Sequence, residues 1–149
     1  MNLFQKLTLG TAGLLALGIG IAITFWPHGF YAGYGIELGS NPNFLSELRA
    51  PGANLAVLGA IIFAGALNRQ MARLSAALGS TVFLAFAFGR GVSMVLDGIP
   101  EGGIVAALLV ELVVGMLCLA NLRQRAGNQG PRRCHWRDVA RNANAAQTG

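Results

Sequence analysis

Charge is scarce in this chain. Asp, Glu, Lys and Arg make up 11% of its 149 residues, against about 25% in an ordinary soluble domain. So few charges cannot clothe a water-facing surface, and a 54% hydrophobic content suits a surface that faces lipid instead. Six acidic residues leave a net charge of +5. The cations are grouped at segment ends and in a C-terminal tail, which excludes the basic face of a nucleic-acid binder and fits the anionic cytoplasmic leaflet. Two cysteines, Cys118 in an apolar run and Cys134 in the tail, are too few for a disulfide scaffold and read as free thiols. His28 has no partner at ligand spacing. Cys134-His135-Trp136 offers two ligands where a structural zinc needs about four. No metal or cofactor is expected. There is no embedded histidine cluster, no Ser/His/Asp set and no Cys-x-x-Cys, so an enzyme is the reading these residues favour least.

Four long apolar runs are what the chain does have. Leu7–Phe25 carries no charge over 19 residues, roughly 28 Å of helix and close to the thickness of a hydrocarbon core. It exceeds the apolar stretch of a signal peptide, and no small-residue cleavage site follows, so it reads as an uncleaved first helix. The other runs are 47–67, 74–96 and 104–122. Residues 1–122 are therefore expected to form one domain, an all-α, antiparallel bundle of four transmembrane helices. From Arg123 the composition turns Arg-, Gly- and Asn-rich with few large apolar residues, and 123–149 is expected to be a disordered tail.

Small residues recur at helical spacing. Ala12, Ala16, Gly20 and Thr24 share a face of the first span, and Arg49, Gly52, Ala56 and Gly59 or Ala60 share one of the second. Such seams let helices approach closely. They admit packing within one chain or pairing with a second copy or another membrane protein. Trp26–Ser46 is the longest connection. Pro27 ends the first helix, part of the loop suits a short interfacial helix, and Asn43 is a plausible N-cap for the next span. Trp26, Phe30, Tyr31 and Tyr34 suit an interfacial aromatic belt; a lid over a binding site is the sharper alternative. Pro51 lies near the start of the second span or marks a kink.

Topology follows from the cations. Lys6, Arg69, Arg73, Arg123, Arg125, Arg132, Arg133, Arg137 and Arg141 fall on one side of a four-span arrangement. The opposite loops hold no Lys or Arg and carry Glu37, Asp97 and Glu101. The positive-inside rule then puts both termini in the cytoplasm.

Embedded charges remain. Arg90 lies roughly 9 Å below the outer end of the third span and Glu111 roughly 10 Å below that of the fourth, so the two share a depth on sequential helices. Gly103, Ala107, Glu111 and Gly115 recur every four residues and mark the inward face. Phe83 and Phe86 extend the Arg90 stripe deeper. Glu47 and Arg49 are placed at the outer mouth, in reach of Asp97. Glu47, Arg49, Arg90, Asp97 and Glu111 therefore form a candidate polar cluster in the outer half of the bundle. It fixes helix register, or it is a pocket for an anionic headgroup, a quinone-like molecule or a proton in transit.

Ser46-Glu47-Leu48-Arg49-Ala50-Pro51-Gly52, Gly89-Arg90 with Asp97-Gly98-Ile99-Pro100, Glu111-Leu112, and the loop from Tyr34-Gly35-Ile36 to Asn41-Pro42 together resemble small bacterial membrane proteins of domain-of-unknown-function family 4345. The resemblance covers about Leu7–Leu122. It implies a four-helix inner-membrane protein, with looser similarity to DoxX-like four-helix proteins, and no established activity. The expected function is that of a non-enzymatic accessory subunit, or of a binder of lipid or another small molecule at the polar cluster. A small proton-coupled transporter using Glu111 is the alternative, although the small multidrug-resistance exporters carry their key glutamate in the first helix, and here the first span has none.

Overall fold

The computed structural model describes residues 2–128. The segment 129–149, with Cys134-His135-Trp136 and most of the expected tail, lies outside the described residues. Four long helices, α1 (Leu3–Phe25), α3 (Pro42–Leu67), α4 (Ala72–Leu96) and α5 (Gly102–Asn128), are joined by one short helix, α2 (Pro27–Ala32), and by turns. Each long helix is apolar and long enough to cross a membrane, and the described residues contain no strand.

Local chemistry sets the ends. Pro27 occupies the first turn of α2, where its missing N–H costs nothing, while the Trp26 amide still closes α1 on Ala22. The N-cap of α3 is Asn41, whose side chain accepts from the Asn43 amide at 2.9 Å. Asn43, the expected cap, is already helical because Pro42 is better suited than any later residue to the first helical position. The longer α3 encloses Pro51 in its interior, where one backbone hydrogen bond is lost. Asn68 accepts from the Gln70 amide and turns the chain into α4. At the far end α5 runs on to Asn128. That is past Leu122, because Asn121, Leu122, Arg123 and Gln124 carry no helix breaker.

Around the bundle the order is α1, α3, α4, α5. The α1–α3 contact is the most extensive, α4–α5 follows, and α3–α4 completes a continuous wall. Between α1 and α5 contact is sparse, and the backbones of α3 and α5 stay apart. The α1–α3 seam is made of glycine. A Cβ on Gly13 would strike the Phe63 backbone, one on Gly20 the backbone of Gly52 and Ala56, and one on Gly59 the backbone of Ala16 and Leu17. Helix axes approach this closely only when nothing projects between them. The most deeply buried side chains, among them Leu9, Ile62, Ala72, Ala76 and Cys118, lie toward the end that carries Lys6, Arg69 and Arg73. Packing is tight there. In the other half, the sparse α1–α5 contact leaves room.

Overpacking a close seam costs about 1–3 kcal/mol at one site, and more where backbone is struck. Gly59→Val is therefore expected to lower the melting temperature sharply in detergent. Gly18→Ala adds a methyl where no atom lies within 4 Å, so it should leave the melting temperature unchanged or slightly raised. Equal losses for the two variants would contradict the glycine seam.

Candidate functional site

Helical periodicity assembles most of the site from three helices. On α1, Leu15, Ile19 and Ile23 recur on one face. On α4 the corresponding stripe is Val82, Phe86 and Arg90, and on α5 it is Ile104, Ala107 and Glu111. These faces converge on the open side of the bundle. Phe30, Tyr31 and Tyr34 close the end nearest the α4–α5 turn, and Leu55 of α3 contributes to the far wall. The result is a cavity of about 350 Å³, within the range of about 300–1,000 Å³ usual for small-molecule sites. Its wall is aliphatic and aromatic except at one level.

That level is the Arg90–Glu111 pair. Nε of Arg90 donates to Oε1 of Glu111 at 2.9 Å and to Oε2 at 3.0 Å. The carboxylate side chain is 12% exposed and the guanidinium 32%. Both hydrogen bonds leave from Nε, so the Nη groups take no part in the pair. Glu111 is held at one edge of the guanidinium, not across the two-pronged fork that Arg offers most often.

The aromatic segment owes its position to Gly35. With φ at +71° it takes a conformation costly for other residues, turning the chain after α2 so that the Ile36 amide bonds back to the Tyr31 carbonyl at 3.1 Å. A side chain on Gly35 would also meet the Glu101 carboxylate. Phe30 then packs edge-on against Tyr31, with ring centres 5.4 Å apart, and at the same distance from Tyr34. Burial pushes the Tyr31 phenol above its ordinary pKa, and the Arg90 charge pulls weakly the other way. Tyr31 thus stays an uncharged donor at neutral pH.

The residues singled out from sequence do not all meet. Arg90 and Glu111 come together. Glu47, Arg49 and Asp97 are exposed, and the expected five-residue cluster reduces to one ion pair. Bundle order separates Glu47 and Arg49 on α3 from Glu111 on α5, whereas Arg49 and Asp97, on the neighbouring helices α3 and α4, each turn to another partner. Arg49 instead donates from Nη1 to the Thr24 carbonyl at 2.7 Å, placing a cation on the last turn of α1. Asp97 accepts from the Ser93 hydroxyl at 2.9 Å, within its own helix end. Of the four aromatics, Phe30, Tyr31 and Tyr34 turn onto the cavity, while Trp26 is 69% exposed as a belt residue would be. Of the apolar wall, Phe83, Phe86 and Ala107 are legible in the sequence beside Arg90 and Glu111, whereas the α1 face through Leu15, Ile19 and Ile23 is the part that sequence reasoning missed, its signal being that helical stripe. Among the described residues no group of His, Cys, Asp and Glu is placed to hold a metal ion.

Removing one partner of a buried pair costs about 3–5 kcal/mol because the other charge is stranded. With Arg90 partly exposed the low end applies. Glu111→Ala is expected to destabilise the protein more than Arg90→Ala/Glu111→Ala, measured by thermal unfolding in detergent. Equal losses from the single and double substitutions would remove the pairing.

Comparison with curated proteins and with solved structures found no match. The family model described as Domain of unknown function (DUF4345) matches residues 4–122, all but the two ends of the helical bundle, and includes its cavity and ion pair. The chain belongs to this DUF4345 family.

Proposed function

We propose that this membrane protein is a non-enzymatic binder of a lipid or another small, largely apolar molecule, held in the cavity between α1, α4 and α5 under the aromatic segment. The observation that supports this best is the cavity wall itself. It is apolar over most of its area, aromatic at the outer end, and, among the described residues, charged at Arg90 and Glu111 alone, which is the usual make-up of a small-molecule site. An ion pair serving register alone needs no adjoining space. Here the pair lines that space. The sparse α1–α5 contact offers a side entrance from the bilayer, flanked by the partly exposed Leu15 and Val110. The distribution of Lys and Arg supports an orientation with both termini cytoplasmic and the cavity in the outer leaflet, in a bacterial inner membrane.

The transporter alternative gains no support from the geometry. Both oxygens of Glu111 are engaged by one N–H of a neighbouring cation, a poor arrangement for a carboxylate that must pick up and release protons. A subunit role beside another membrane protein is compatible with a binding cavity and would be read from a co-purifying partner.

Native mass spectrometry of the full chain, released from membranes in mild detergent, tests the binding role. The wild-type chain is expected to carry a discrete bound mass. Ala107→Trp, which places an indole in the cavity, should lose that mass while its melting temperature stays within a few degrees. A bound mass retained unchanged by the filled variant would contradict the assignment to this cavity.

A further inference from the structure

The ligand's chemistry can be taken one step beyond the presence of a cavity, and this step rests on the binding role proposed above. Three observations bear on it. The first is donor supply. A guanidinium carries five N–H groups, and Glu111 uses only the one on Nε. The two Nη groups of a side chain that lines the cavity remain for something other than Glu111. The second is charge. Among the described residues Arg90 and Glu111 are the only formally charged ones on the wall, and their charges cancel. An incoming anion would leave one net negative charge in a low-dielectric site, or would have to displace Glu111 from Arg90. An incoming cation would meet a guanidinium already seated on Glu111 and would leave one net positive charge in the site. Either ion carries a desolvation cost that an uncharged acceptor avoids. The third is depth. Arg90 lies six residues before the end of α4 and Glu111 nine after the start of α5, roughly 9–14 Å from the outer helix ends. A zwitterionic phospholipid headgroup bound at that level would be pulled out of water.

We propose that the cavity takes an uncharged amphiphile, an aliphatic or ring-containing body bearing a carbonyl or similar acceptor, and that the Nη groups of Arg90 donate to that acceptor while Glu111 holds the guanidinium in place. The apolar body lies against Val82, Phe83 and Leu15 on the deep side, and the aromatic rings of Phe30 and Tyr34 cover it on the outer side. The acceptor gains charge-assisted hydrogen bonds, and no net charge is buried. Tyr31, on the same wall, is a second donor for the same acceptor.

The test compares four probes sharing one chain: methyl decanoate, decanoate, decylamine and decane. Each is offered at pH 8 to the full chain in mild detergent after delipidation, and one-to-one complexes are counted by native mass spectrometry. Methyl decanoate is expected to bind about tenfold more tightly than any of the other three, the ratio that one charge-assisted hydrogen bond supplies. In Arg90→Ala/Glu111→Ala, which keeps the wall apolar and strands no charge, its affinity should fall to that of decane. Arg90→Lys keeps the cation but not the planar set of donors, and methyl decanoate should lose most of its advantage there too. Tighter binding of decanoate or decylamine would overturn the inference and leave the binding cavity standing. Equal binding of decane and methyl decanoate would also overturn it, because the head would then go unrecognised. If no probe binds, the binding role falls and this inference with it.

Discussion

An arginine and a glutamate in the apolar half of a helical bundle must find each other. Hydrocarbon offers neither water nor counter-ions, and insertion scales place an isolated Arg or Asp at about 2.5–3.5 kcal/mol at a helix centre. Arg90 and Glu111 sit on adjacent helices at a common level, 2.9 Å apart, and this requirement fixes the rotation of α4 against α5. Once that rotation is set, Phe83 and Phe86 on one helix and Ala107 and Ile104 on the other face the same space. The cavity is thus a consequence of where the pair must lie. A bundle free of embedded charge would be free to close there.

The other half of the molecule supplies the rigidity that lets the cavity stay open. Glycines along α1 and α3 bring those helices into backbone contact, and Arg49 binds the last turn of α1 through the Thr24 carbonyl. Hydrophobic burial gives no drive between helices already in lipid, so close packing and a few polar contacts have to hold the assembly. The tight α1–α3 pair acts as a wall. The α4–α5 pair is held against it through α3 and α4, and the remaining side is left sparse.

Most of the architecture was legible in the sequence because bilayer thickness is a strict ruler. Four apolar runs gave four helices, and the pairing of Arg90 with Glu111 followed from counting rise along two antiparallel segments. Depth alone is a poor guide to proximity. Glu47, Arg49 and Asp97 share a level at the ends of neighbouring helices, yet depth does not say which way each side chain turns, and Arg49 and Asp97 find other partners. The signal that places Arg49 was present: it heads the small-residue face of α3, and Thr24 ends the matching face of α1, so pressing the two faces together brings them into contact. The cavity was harder to read. A void is defined by what several faces fail to fill, and the stripe through Leu15, Ile19 and Ile23 looks the same in sequence whether it meets lipid, a neighbour or empty space. The aromatic segment depended on a backbone detail, the positive φ of Gly35, that returns the rings over the bundle.

The account turns on which guanidinium nitrogen meets the carboxylate in a real bilayer. Solid-state NMR dephasing between 15N-labelled arginine and 13C-labelled glutamate, with Arg90→Lys used to assign the signal, reads this directly in reconstituted membranes. Strong coupling from Glu111 Cδ to Arg90 Nε, with weaker coupling to the Nη nitrogens, is the predicted result. Absence of coupling to any arginine nitrogen, or a contact carried by Nη with Nε free, would contradict it.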